Sequence, residues 1–192
     1  ADEGYGPVDT ITATIEDYSQ DVVNLRPKQF ITLVKECERR LAIEYIKAIF
    51  QKRMKPKDAS QLVKIADKIS MEATHMQRFV ELLRSQTDEN ENIDNWEISP
   101  LEAVKMCAQI LQSSADMLEL ELQGVAAKFR FITTAHVKKL LEMRGDLGSQ
   151  QMQDKLSIVE QEKQKFSENQ NYNPDVPVIF RDIQVSTGLL GW

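Results

Sequence analysis

FITLVKECERRLAIEYIKAIFQKRM, residues 30–54, is the stretch on which the fold turns. Its side chains Phe30, Val34, Cys37, Leu41, Tyr45 and Ala48 recur at intervals of 4, 3, 4, 4 and 3 residues, the period of one helix face. Ile31, Ala42, Ile46, Ile49 and Phe50 form a second row beside the first. A helix apolar over so much of its circumference needs cover from more than one neighbour, so the pattern predicts a central rod in a helical bundle. The flanks agree. Pro27 suits a first turn, where its missing N–H would go unpaired anyway, and Pro56 cannot continue a helix.

On the N-terminal side, residues 9–23 read as a short helix with Ile11, Ile15, Tyr18 and Val22 on the docking face, behind a loose lead-in over 1–7. On the other side, Asp58 is expected as an N-cap with Gln61 completing a capping box. The helix it opens carries Leu62, Ile65, Ile69, Ala73, Met76, Val80 and Leu83, and the short connection makes an antiparallel hairpin with the rod. Residues 85–97 hold five carboxylates and no Lys or Arg, the composition of a surface loop, with Trp96 and Ile98 as its anchor. Ser99, Pro100 and Glu102 spell N-cap, N1 and N3 of the next helix, which should loosen at Ser113 and Ser114. Further helices are predicted over 115–129, from a cap at Thr133 or Thr134 to a stop at Gly145, and over 149–168. Beyond Asn171, Pro174 and Pro177 exclude helix. Val176, Val178, Ile179, Phe180, Ile183 and Val185 predict an extended segment lying in a groove of the bundle.

The fold class that follows is all-α: elongated, stacked antiparallel helical bundles with an extended C-terminal tail. The expected parts are 1–84 with the rod, an acidic loop over 85–99, a second bundle part over 100–170, and a tail over 171–192. Seven glycines and six prolines in 192 residues leave long uninterrupted helices room to form. A net charge of −6 speaks against a general nucleic-acid binder, which needs a basic surface for phosphates. No apolar run approaches the roughly 20 residues that span a bilayer. The start at Ala1, without methionine or a signal-like segment, is expected of a piece of a longer protein. Cys37 and Cys107 fall on apolar helical faces, as two buried thiols of a reducing compartment would.

Chemistry-bearing patterns are sparse. There is no phosphate-binding glycine loop, zinc-type cluster or calcium loop, so no catalytic, cofactor or metal site is expected. His75 and His136 sit in different helices and read as surface or boundary residues. Glu119 and Glu121 would diverge on a helix. Arg144-Gly145-Asp146 spells a cell-adhesion tripeptide, and is read instead as a basic helix end followed by its C′ glycine. Two charged surfaces are candidates for binding. Lys52, Arg53, Lys55 and Lys57 cluster at the hairpin tip, where each cation could contribute about 1 kcal/mol at an anionic membrane; a solvated turn favouring the helix C-terminus fits the same residues. Asp88, Glu89, Glu91 and Asp94 form the candidate partner loop, or a plain solvated connector.

Several segments resemble the C-terminal region of the exocyst complex component 3 family, which includes the component-3-like proteins and tumour-necrosis-factor-alpha-induced protein 2. The first runs through Arg40, Glu44-Tyr45-Ile46 and Gln51-Lys52-Arg53-Met54. A second aligns without gaps over Leu120-Glu121-Leu122, Lys128-Phe129, His136-Val137, Leu140-Leu141 and Arg144-Gly145-Asp146. A third is Val176-Pro177 with Ile179-Phe180-Arg181-Asp182-Ile183. The chain departs from the pattern at Ser114-Ala115-Asp116 and at Arg130-Phe131.

The resemblance implies a rod of stacked helical bundles that works by contact rather than catalysis. It implies vesicle tethering in exocytosis from the cytoplasm, peripherally at the plasma membrane. The partners it implies are other exocyst subunits, SNARE proteins or Ral-type small GTPases. Its alternatives are the induced paralogue, acting with Ral GTPase and exocyst in membrane protrusions and nanotubes, and a phosphoinositide-binding module using the basic tip. No cofactor and no nucleic acid are expected.

Overall fold

The computed structural model describes residues 6–22, 24–51, 56–86, 98–168 and 176–185, and all that follows concerns these. They form seven α-helices and no strand: α1 (Pro7–Val22), α2 (Pro27–Gln51), α3 (Ala59–Arg84), α4 (Glu102–Gln112), α5 (Leu118–Lys128), α6 (Thr134–Arg144) and α7 (Ser149–Glu168). A single 3₁₀ turn, Phe180–Asp182, follows. The all-α expectation is met.

The helix of the opening stretch is present as α2, and it pairs with α3 in antiparallel sense. Tyr45 donates its hydroxyl to Glu72, and Arg84 reaches Glu38, so the partners run in opposite order along the two helices. The hairpin is fixed at its exit from the turn. Asp58 Oδ1 accepts from Gln61 N–H at 2.8 Å, while Gln61 Oε1 accepts from the N–H of Lys57, one residue before the position a standard capping box uses.

The two apolar rows of α2 meet different fates. Ile31, Ala42, Ile43, Ile46, Ile49 and Phe50 are buried, whereas Cys37, Leu41 and Tyr45 are half-buried and Ala48 is exposed. Phe30 and Val34 stay in the core. The more enclosed helix is α4, which packs against α2, α3, α5 and α6. Seven of its eleven residues are buried. Ala103, Cys107 and Ala108 make this possible, because small side chains let neighbours close in from several directions. Truncating Ile110 or Leu111 there would cost about 2–5 kcal/mol. Burial pushes the Cys107 thiol up to about 12, and neither cysteine forms a disulfide.

Three local expectations are corrected. On α1 the expected docking face is met at Ile15 and Val22, half-buried against the cluster of Phe30, Ile31, Val34, Val80 and Leu83, but Ile11 is 41% and Tyr18 66% exposed, and the fully buried positions are Val8, Thr12 and Ser19. Thr12 and Ser19 donate their hydroxyls to the carbonyls of Val8 (3.1 Å) and Glu16 (2.6 Å), so these small polar groups enter the α3 contact already satisfied. Ser99 is not the N-cap of α4. The helix begins at Glu102 after a tight turn over 99–101, and the Ser99 hydroxyl donates to Glu38 at 2.6 Å. Its oxygen accepts from the Leu101 N–H at 3.2 Å, so the hydroxyl bonds the turn ahead of the helix and a long-range carboxylate at once. His136, expected at the surface or boundary, is buried at 4% exposure.

Thr133 caps α6 and Gly145 ends it at φ +71°, the left-handed conformation that favours glycine. In the C-terminal segment, described over 176–185, the expected extended course is interrupted by the 3₁₀ turn. Ile179, Phe180 and Ile183 enter the main core there, which runs from Val8 through Ile183.

Candidate interaction surfaces

The segment over 176–185 is held by three kinds of contact. Phe180 packs edge-on against Phe129 with ring centroids 5.7 Å apart. Arg39 on α2 donates to the Val178 carbonyl at 3.2 Å and to Asp182 Oδ2 at 2.7 Å. The third hold is His136. Its Nδ1 accepts from the Thr133 N–H at 3.0 Å, so Nε2 carries the proton and donates to the Ile183 carbonyl at 2.8 Å. One neutral imidazole thus caps its own helix and pins the segment. Burial, with Lys163 adding repulsion, pushes the His136 pKa down, and the Ile183 carbonyl opposes that only in part.

The adhesion-like tripeptide is consumed by the fold. Arg144 is 7% exposed. Its Nη1 donates to the carbonyls of Ile110 (2.7 Å), Leu111 (3.4 Å) and Ser113 (2.7 Å), closing the C-terminal end of α4 from a neighbouring helix. Its Nε and Nη2 grip both oxygens of Asp146 at 3.0 and 2.6 Å, which holds that carboxyl below the usual carboxylate range. A guanidinium in this position has no face left for a receptor.

On the other side of the molecule, α1, α2 and α3 enclose an open cavity of about 630 Å³. Ile11 and Ile15 form one wall, Leu41 and Ala48 the other, and Ile65 and Ile69 the floor. Sequence reasoning assigned the α2 wall to the core. The signal against that was the width of the apolar surface itself, two rows on one helix.

The residues singled out by charge are placed as follows. Lys57 is exposed at the start of the α3 cap, while Lys52, Arg53 and Lys55 lie outside the described residues. Asp88, Glu89, Glu91 and Asp94 also lie outside them. Among the described residues no group of three or more His, Cys, Asp or Glu could hold a metal ion. No described helix is long and apolar enough to cross a membrane.

Fold and surfaces together define a class: an all-α chain whose buried polar groups are spent on fixing its own elements and whose distinctive outer feature is an apolar groove. Its sequence matches the family described as Exocyst complex component Sec6 over residues 3–149, and the chain belongs to that family. It is similar to Exocyst complex component 3 of Drosophila melanogaster, at 28% identity over 149 residues, covering 78% of this chain and 19% of that protein. It is also similar to an Exocyst complex component 3-like protein of Danio rerio, at 25% identity over 132 residues, covering 67% of this chain and 16% of the relative. The chain therefore spans about a fifth or less of the length of these relatives. No solved structure matches it significantly.

Proposed function

We propose that this chain is a non-enzymatic scaffold module that tethers secretory vesicles for exocytosis by binding other exocyst subunits. The observation that carries the reading is the family match over residues 3–149. The all-α architecture supports it, since helical faces offer broad rigid surfaces for protein contact. The protein then works in the cytoplasm, peripherally at the plasma membrane, with SNARE proteins or Ral-type GTPases as further partners. Within the module the charged segments are assigned the contact roles: Lys52, Arg53, Lys55 and Lys57 for an acidic partner surface, and Asp88, Glu89, Glu91 and Asp94 for a basic one. Opposite charges at the two places would steer encounter and fix orientation.

The test is affinity capture of the tagged full-length protein from cells. Recovery of the other exocyst subunits in matching amounts is the expected result, and their absence refutes the reading. Reversing Lys52, Arg53, Lys55 and Lys57 to Glu should weaken that recovery. If capture is unaltered while sedimentation with anionic vesicles is lost, the basic tip is a lipid contact and not a protein contact, because charge-driven lipid capture weakens as salt rises.

A further inference from the structure

We propose that the seat of residues 176–185 is a peptide-recognition site, filled here by the chain's own segment, that takes from a partner protein a short stretch with a Phe and, two residues on, an Asp. The segment is held as a ligand is held. Among the described residues its backbone bonds are of two kinds only. Two are local, from the Asp182 N–H to the Ile179 carbonyl and from the Ile183 N–H to the Phe180 carbonyl. The others come from side chains: Arg39 Nη1 donates to the Val178 carbonyl at 3.2 Å, and the His136 ring to the Ile183 carbonyl at 2.8 Å. None joins its backbone to that of a helix, so departure of the segment breaks no helix, and water can meet each group it vacates.

Two side chains of the segment are read. Phe180 is 1% exposed, with the Phe129 ring 5.7 Å away and the His136 ring 5.3 Å away, and Phe50 stacks on His136 at 6.0 Å. Asp182 Oδ2 accepts from Arg39 Nη1 at 2.7 Å. Both readers are positioned from outside the segment. Arg39 donates Nε to one oxygen of Glu36 at 2.9 Å and Nη2 to the other at 2.8 Å, which leaves Nη1 for the segment. His136 is oriented by the Thr133 N–H on its other nitrogen. Such preorganisation lowers the cost of binding a peptide. The 3₁₀ turn sets the spacing, because it brings Phe180 to the rings and Asp182 to the guanidinium. Arg181, between them, keeps 63% of its side chain exposed, so that position tolerates other residues.

Filling in cis makes the site conditional. A tethered segment competes at an effective concentration on the order of mM. A partner stretch therefore enters only those molecules whose own segment is out, and its apparent affinity falls by that fraction. The segment acts as a strap that keeps the site shut until it is displaced or loosened. The tethering reading neither supports this inference nor falls with it, since the inference rests on the seat alone.

The experiment uses the 192-residue chain and a fluorescein-labelled peptide of residues 176–185, with two control peptides that carry Phe180→Ala or Asp182→Lys. In the chain, Phe180→Ala weakens the strap and empties the ring pocket. Fluorescence anisotropy should show this variant binding the parent peptide at least about tenfold tighter than the unaltered chain does. Both control peptides should bind the variant at least about tenfold more weakly than the parent peptide, which should also raise the variant's melting temperature. Adding Arg39→Glu should reverse the preference between the parent and the Asp182→Lys peptide. Where Phe180→Ala alters the circular dichroism spectrum, Asp182→Lys in the chain takes its place, since that side chain is 33% exposed and its loss loosens the strap without opening the core. Equal binding of the parent peptide by the unaltered chain and both variants, or binding indifferent to the peptide's Phe and Asp, overturns the proposal. So does a dimer of the unaltered chain in light scattering that Phe180→Ala turns into a monomer, which would give the site to the segment of a second copy.

Discussion

Replacing Arg144 with alanine removes one side chain and opens two separate joints. The guanidinium is 7% exposed, and its Nη1 supplies donors to Ile110 and Ser113 at 2.7 Å, at the end of α4. Those carbonyls belong to the last turn of the helix and its first residue beyond, where no intrahelical N–H follows to meet them. A hydrogen bond to a charged group contributes about 1.5–3 kcal/mol, and removing one partner of a buried charged network costs about 3–5 kcal/mol. The two joints share one side chain, so their costs do not add fully, and a loss of about 3–5 kcal/mol is expected for Arg144→Ala. For a chain of this size that corresponds to roughly 6–20 °C in melting temperature. Urea unfolding followed by far-UV circular dichroism measures it directly.

Two companion variants separate the joints. Arg144→Lys keeps the charge but loses the planar fork, and should cost about half as much. Asp146→Asn removes a carboxylate whose side chain is 48% exposed and should cost under about 1 kcal/mol, because solvent screens such pairs. The pH dependence has a definite sign. Asp146 has a depressed folded pKa, so its contribution is present above the ordinary carboxylate range and is lost as pH falls through the folded value. The difference between the parent chain and Asp146→Asn should therefore close in acid. A loss below about 1 kcal/mol for Arg144→Ala at unchanged denaturant slope, or a loss for Asp146→Asn equal to it, would refute the assignment of α4 closure to Arg144.

His136 is held neutral in the fold, so the unfolded chain binds the extra proton. Stability should fall as pH is lowered from above the ordinary histidine value through it, and His136→Gln should lack that part of the decline in thermal melts. Phe180→Ala empties a site 1% exposed between Phe129 and His136 and should cost about 3–5 kcal/mol; chemical denaturation checks it. Arg39→Ala should leave global stability nearly intact, within about 1 kcal/mol. It should speed hydrogen exchange at the Ile183 amide, which bonds to the Phe180 carbonyl. Gly145→Ala places a Cβ at φ +71° and should cost about 1 kcal/mol in the same unfolding assay.

Helix existence was written in the local sequence wherever chemistry acts locally. Pro27, Asp58, Thr133 and Gly145 each mark an end where the structure has one, since caps and stops depend on a few neighbouring residues. Ser99 shows where that logic stops. Its oxygen accepts from the Leu101 N–H, inside the turn rather than inside the helix, while its proton goes to Glu38, sixty-one residues away and 1% exposed. A buried carboxylate needs donors and a helix start needs acceptors, and one hydroxyl serves both. Burial pushes the Glu38 carboxyl above its ordinary range, and Ser99 and Arg84 oppose the push. No periodicity announces such a pair, because Glu38 reads as one charged position among several on α2.

The orientation of the apolar rows was the other quantity beyond local reading, and it is where fold and function meet. Periodicity fixes the angle between two rows on a helix but not which of them turns inward; that depends on what the neighbours can accept. On α1 the contact took Val8, Thr12, Ile15, Ser19 and Val22, and left Ile11 and Tyr18 outward. On α2 it took the Ile31 to Phe50 row and left Cys37, Leu41, Tyr45 and Ala48 facing the gap. Ile11 and the α2 row line the same groove, and Tyr18 lies beyond its lining. An apolar surface spared on two helices at once cannot be read from the period of either helix alone.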